Sequence, residues 1–192
     1  MSARPGLQRT VILQAAAELA DTHGFQQVTL ALLANKLGVR SPSLYNHING
    51  LDGLRQLMAV YSIEQLIEAM TKAAVGRSGE TAVRAISEAY LHYARSHPGL
   101  YEALLKAPDP EDTEVTEASE QLLELILQVL SSYQLEQEEA LHVVRGLRSL
   151  LHGFASLEQS GGFGLPLDLN TSFDVLLTTY LSGLELRTHP QQ

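Results

Sequence analysis

The stretch Thr29-Leu-Ala-Leu-Leu-Ala-Asn-Lys-Leu-Gly-Val-Arg-Ser-Pro-Ser-Leu-Tyr-Asn-His-Ile48 decides how the rest of the chain is read. It contains two short helical segments separated by a glycine. Thr29 is placed to cap the first and Gly38 to end it; Ser41 is expected as N-cap of the second, with Pro42 at the tolerated first position. A helix-turn-helix needs a small residue where its helices cross, a residue tolerant of left-handed backbone in the turn, and apolar residues that lock the second helix. Ala34, Gly38 and the set Leu33, Leu37, Val39 and Leu44 meet those needs. With Leu44 turned inward, Ser43, Tyr45, Asn46 and His47 face outward or edgewise, where such side chains can touch phosphates and base edges. The free N–H groups near Ser41 and Pro42 can hold a phosphate. The competing reading packs Tyr45 and His47 into a small three-helix core and leaves Lys36 and Arg40 as solvated charges.

Outward from this stretch, apolar residues recur at three- and four-residue spacing, and alternating strand-like runs bounded by turns are absent. The expected fold is all-α: an N-terminal three-helix module carrying the helix-turn-helix, then a C-terminal helical bundle, about nine helices in total. The first helix, roughly 7–23, turns Val11, Ile12, Ala15, Ala16, Leu19 and Ala20 to one side and stops at Gly24. A long helix over 52–74 leads to segments at 80–96 and 99–106, a turn-rich acidic loop at 107–112, and long helices at 113–133, 136–159 and 171–186. The domain boundary is set at 51, giving a helix-turn-helix module over 1–51 and a larger domain over 52–192.

Charge follows the same division. The chain is net −9, yet residues 1–57 hold Arg4, Arg9, Lys36, Arg40 and Arg55 against Glu18, Asp21 and Asp52. That portion is therefore net +2 and the remainder −11. Such asymmetry suits a small anion-binding module joined to an acidic body. The absence of cysteine excludes disulfides, thiolate metal sites and a cysteine nucleophile. The sequence offers no export signal and no apolar run approaching a membrane span, which leads us to expect a cytoplasmic protein without a membrane partner.

Residues 10–58 resemble the DNA-binding domain of the tetracycline-repressor (TetR) family of regulators. The block Ser-Pro-Ser-Leu-Tyr-Asn-His-Ile at 41–48 is similar to that of the tetracycline repressors themselves. The resemblance implies that Tyr45 and His47 contact the DNA backbone and that Arg40, Ser41, Pro42, Ser43 and Asn46 lie at the base-reading surface. It also implies that the first turn of the 52–74 helix grips a phosphate. Lys36 joins these as a DNA-binding candidate. Two positions depart from the family: Leu51 stands where a lysine is common, and Ala31 where many members carry arginine or another polar reader. A second resemblance covers roughly 140–186, where Leu150-Leu-His-Gly-Phe-Ala-Ser-Leu-Glu158 is similar to the Trp-His-Gly class of TetR C-terminal domains, with Leu151 in place of the tryptophan. It implies that the last two long helices pair with their symmetry mates and that the other helices enclose an effector cavity.

On this reading the dimer seam runs through Leu147, Phe154, Phe173, Leu177, Tyr180, Leu181 and Leu184. The cavity-wall candidates are Tyr90, Tyr93, Tyr101, Leu104, Leu105, Leu122, Ile126 and His152, although ordinary core accounts for each taken singly. A pocket so lined favours an uncharged or weakly charged hydrophobic effector over a phosphorylated metabolite, which calls for clustered lysine or arginine. No metal and no cofactor are expected: His92, His97, His142 and His152 form no i, i+4 pair, and the sequence places no carboxylate with them. Gly161-Gly162-Phe163-Gly164 lacks the preceding strand and the lysine of a phosphate loop, and no nucleophile or paired-carboxylate arrangement stands out, so catalysis is not expected. The sequence thus points to a ligand-responsive homodimeric repressor on palindromic double-stranded operators. The alternatives are an activator or protein-contact-controlled regulator and, from a different class, a helical enzyme or binding protein with a helix-turn-helix-like front.

Overall fold

A computed structural model describes residues 7–105 and 112–188. Among them the chain is helical without strands. The α-helices are α1 (Arg9–His23), α2 (Leu30–Leu37), α3 (Gly50–Ala74), α4 (Gly79–Ser96), α5 (Pro98–Glu102), α6 (Thr113–Leu130), α7 (Gln137–Gln159) and α8 (Leu169–Thr188). Three 3-10 helices, Phe25–Gln27, Ser41–Asn46 and Ser131–Tyr133, complete the order. The acidic loop expected at 107–112 lies, up to residue 111, outside the described residues, as does Arg4.

The chain divides into two compact units, one formed by residues up to 65 together with 96–119, the other by 66–95 together with residues from 120 onward. The first unit is built on α1. Its inward side is Ile12, Ala16, Leu19 and Ala20, whereas Val11, expected there, is exposed and Leu13 is buried instead. The apolar arc is centred on Ala16, which places position 13 inside its width and position 11 outside it. Gly24 ends the helix at φ +92°, a backbone that L side chains rarely adopt, and Phe25 and Val28 then return to the core.

In the second unit α4, α7 and α8 bury long apolar faces. Val83 and Ile86 come from α4, Val144, Leu147, Leu151 and Phe154 from α7, and Phe173, Leu177, Leu181 and Leu184 from α8. Phe154 is the aromatic centre, with ring centroids 4.9 Å from Phe163 and 5.1 Å from Phe173. Gly161, at φ +68°, closes α7, and the Asp168 carboxylate accepts from the Thr171 N–H and hydroxyl, each at 2.7 Å, to start α8. Those bonds hold the Asp168 carboxyl below the usual carboxylate range, the Thr171 hydroxyl contributing most. Polar ties join the helices. Arg84 reaches Asp174, Glu80 and Thr178, and the Arg95 Nε donates to both Glu158 oxygens. The Tyr180 hydroxyl donates to the Val143 carbonyl at 2.7 Å, and burial pushes that hydroxyl's pKa up.

Two histidines do acquire carboxylates that the sequence did not place. His97 Nδ1 lies 2.9 Å from Asp21, a residue 76 positions earlier, and His142 Nε2 lies 3.9 Å from Glu138 one turn before it. Glu138 and His142 form an i, i+4 acid–histidine pair on α7. Among the described residues no group of three or more His, Cys, Asp or Glu side chains could hold a metal ion.

Candidate nucleic-acid interface

The candidate surface is assembled from residue 29 onward. The Thr29 hydroxyl accepts from the Leu32 N–H at 3.2 Å, fixing the start of α2. Gly38, at φ +65° and ψ +30°, ends it: the Gly38 N–H reaches the Asn35 carbonyl and the Val39 N–H the Ala34 carbonyl, each at 3.0 Å. These two bonds satisfy carbonyls that the helix end would leave open and turn the chain sharply. Val39 and Arg40 then run to the 3-10 helix Ser41–Asn46. Here the capping expectation is corrected. Ser41 lies inside the helix, the cap position belongs to Arg40, and no side chain caps it. Pro42 needs no N–H partner in that first turn, and the Ser43 N–H bonds the Arg40 carbonyl at 2.9 Å.

Leu44 is fully buried and Ile48 nearly so. A 3-10 helix turns every three residues, so anchoring Leu44 directs its neighbours away from the core. Pro42, Ser43, Tyr45, Asn46 and His47 are exposed, Tyr45 at 61%, and Ser41 is half-buried. An aromatic side chain left that open is not part of the module's buried core.

The cations sort themselves by partner. Lys36 Nζ lies 2.7 Å from a Glu18 carboxylate oxygen, Arg9 lies 3.2 Å from Glu114, and Arg55 makes a long 3.9 Å contact with Asp52. Arg40 is exposed and, among the described residues up to position 57, is the one lysine or arginine with no acidic partner. Lys36 is therefore already compensated on α1, a pairing across 18 positions that helix periodicity does not reveal.

The other candidates sit as follows. Tyr93 and Tyr101 are buried, Tyr90, Leu104, Leu122, Ile126 and His152 half-buried, and Leu105 exposed. Tyr101, Leu104 and Leu105 belong to the first unit and the rest to the second. Of the seam candidates, Leu147, Phe154, Phe173, Leu177, Leu181 and Leu184 are buried inside their own chain and Tyr180 is half-buried. They pack α7 and α8 onto their unit. The exposed apolar side chains of the same two helices are Leu141 and Leu157 on α7, and Val175, Leu176 and Leu186 on α8. A shallow groove of about 410 Å³ lies on their surface, lined by residues that include Val143, Gly146, Thr179, Tyr180 and Gly183.

Known proteins share this architecture. Residues 12–50 match the family described as "Bacterial regulatory proteins, tetR family", and residues 83–180 match the "Tetracyclin repressor-like, C-terminal domain". The chain is 40% identical over 185 residues to the uncharacterized HTH-type transcriptional regulator YobS of Bacillus subtilis, covering 96% of each. A TetR variant of Acinetobacter baumannii in complex with minocycline superposes with a TM-score of 0.73 at 17% identity, over 95% of this chain and 98% of that one. The transcriptional regulator FadR of Bacillus subtilis in complex with stearoyl-CoA gives 0.73 at 14% identity, over 92% and 99%. The two domain matches lie on the helix-turn-helix and the helical body read from the sequence, and the chain belongs to the TetR family of helix-turn-helix transcriptional regulators.

Proposed function

We propose that the chain is a ligand-responsive repressor that binds a palindromic operator as a homodimer. Residues 1–51 form the reading module, and 52–192 the effector and dimerisation body. The observation that carries this reading is the outward set around Leu44, in which Arg40, Ser43, Tyr45, Asn46 and His47 are exposed while their anchor is sealed. Tyr45 and His47 take the phosphate backbone, Arg40, Ser43 and Asn46 the base edges, and the half-buried Ser41 with Pro42 the entry to the groove. Lys36 plays a lesser part, because Glu18 neutralises it.

The dimer seam uses α7 and α8, through their outer faces. Leu157, Val175, Leu176 and Leu186 supply apolar area there that the single chain leaves in water. A hydrophobic effector suits the tyrosine, leucine and isoleucine candidates of the body. The minocycline complex of the TetR variant and the stearoyl-CoA complex of FadR support this reading. Sites captured from the genome and titrated by fluorescence anisotropy test the reading. A two-half-site duplex is bound by two chains and released by an apolar compound that raises the melting temperature; release by nucleotides or sugar phosphates alone refutes the effector assignment, and no duplex binding refutes the whole.

A further inference from the structure

α5 is too short to hold itself together. An isolated helix of five residues is unstable in water, and the N–H groups of its first turn need acceptors from elsewhere. Its own cap residue, His97, supplies no side-chain bond to them. The acceptor comes from α1: one Asp21 carboxylate oxygen takes the Gly99 N–H at 3.1 Å and the Leu100 N–H at 2.9 Å, while the other lies 2.9 Å from His97 Nδ1. The backbones meet at the same point. A Cβ added to Gly99 would stand 1.9 Å from the Ala20 carbonyl oxygen, so no other residue fits. Two further ties close the joint, from the buried Ser62 hydroxyl of α3 to the Leu100 carbonyl at 2.9 Å and from the Gln26 amide to Glu102 at 3.0 Å.

We propose that Asp21 is a positioning residue for operator binding: by capping α5 from α1 it holds the reading module against the segment that follows α4. α5 is helical only while docked, so capping and docking are one event. The inference rests on the operator-binding dimer proposed above. Two reading modules engage two half-sites together only if each is held at a fixed attitude, whereas one module on one half-site needs no such constraint. Asp21 itself touches no DNA on this reading.

The test compares Asp21→Ala, Asp21→Asn and Gly99→Ala with the wild type on duplexes bearing two half-sites or one, across a salt series, with helicity and melting recorded for each. Asp21→Ala and Gly99→Ala lose at least about tenfold in affinity for the two-site duplex and stay within about twofold of wild type on the single site. Their salt slopes are unchanged, since no phosphate contact is removed. Asp21→Asn keeps an oxygen acceptor for both amides and restores two-site binding. Wild-type affinity of both disruptive variants on both duplexes, or equal losses on both duplexes, overturns the proposal. So does failure of both to fold, because the joint then serves the fold and not the attitude of the module. A wild-type protein that binds no two-site duplex refutes the operator-binding dimer instead.

Discussion

Replacing Arg40 by glutamine is expected to change the salt dependence of DNA binding more than any other single lysine or arginine substitution in residues 7–57. The reason is the distribution of partners. Arg9, Lys36 and Arg55 face Glu114, Glu18 and Asp52 at 3.2, 2.7 and 3.9 Å, and Arg40 faces no acid among the described residues. Taken as neutralising one phosphate beside the bases it reads, Arg40 contributes about −0.9 to the slope of log K against log salt, so its loss from both modules of a dimer flattens the slope by about 1.8. A charge-assisted hydrogen bond is worth roughly 1.5–3 kcal/mol, so each module also loses about ten- to a hundredfold at fixed salt. Lys36→Gln removes a charge that Glu18 already offsets, and an exposed pair of that kind contributes about 0–1 kcal/mol to stability, so both slope and fold change little. Glu18→Gln provides the complementary arm: it frees Lys36, steepening the slope and raising affinity for all sequences alike. Fluorescence anisotropy on a captured operator from about 50 to 200 mM salt reads all three variants. Equal flattening by Arg40→Gln and Lys36→Gln, or no change with Glu18→Gln, refutes the partner argument.

Three further outcomes follow from the same structure. Tyr45→Ala is expected to weaken binding to every sequence by a similar factor, while Asn46→Ala, costing roughly 1–3 kcal/mol at its preferred base, changes the ranking of sites; competition against a randomised library separates the two. Leu176→Asp, at a position 39% exposed, is expected to give folded monomers in sedimentation, whereas Leu181→Asp, at 1%, buries an unpaired charge inside the chain and lowers the melting temperature instead. Because bonds from Thr171 hold the Asp168 carboxyl below its unfolded value, its contribution is present above the ordinary carboxylate range and is lost as pH falls through the lowered value. Asp168→Asn, which keeps an acceptor at the start of α8, is expected to show a flatter acid limb in a melting-temperature profile than the wild type.

What the sequence revealed is what local rules govern. Gly38 is needed because the turn demands φ +65°, and Thr29 because an exposed helix start needs an acceptor; both signals act within four residues. The second helix of the motif starts at Ser41 itself, since proline's freedom from an N–H partner makes a serine cap unnecessary. Periodicity also identified the apolar faces of α7 and α8 while leaving open which way each points. On α8 Leu177 and Leu181 are buried while Val175, Leu176 and Leu186 are exposed, and an apolar stripe alone does not say which side faces the chain's own core. The pairs Lys36–Glu18 and Asp21–His97 were hidden for a simpler reason. They join residues 18 and 76 positions apart, and no one-dimensional pattern of charge reports which acid folds against which base.

The acidic body bears on how the reading module finds its target. At about 0.15 M salt the screening length is near 8 Å, so charges of the −11 portion that lie farther than this from the duplex exert little force on it. α3 alone, 25 residues at 1.5 Å each, is about 37 Å long, several times that screening length. Lower the salt to about 0.01 M and the screening length reaches about 30 Å, bringing much of the body's charge within range of the phosphates. The repulsion then opposes the gain from counterion release. A plot of log K against log salt should therefore be linear near physiological salt and bend toward weaker binding than extrapolated at the dilute end. A protein whose net charge resided in the reading module would show no such bend.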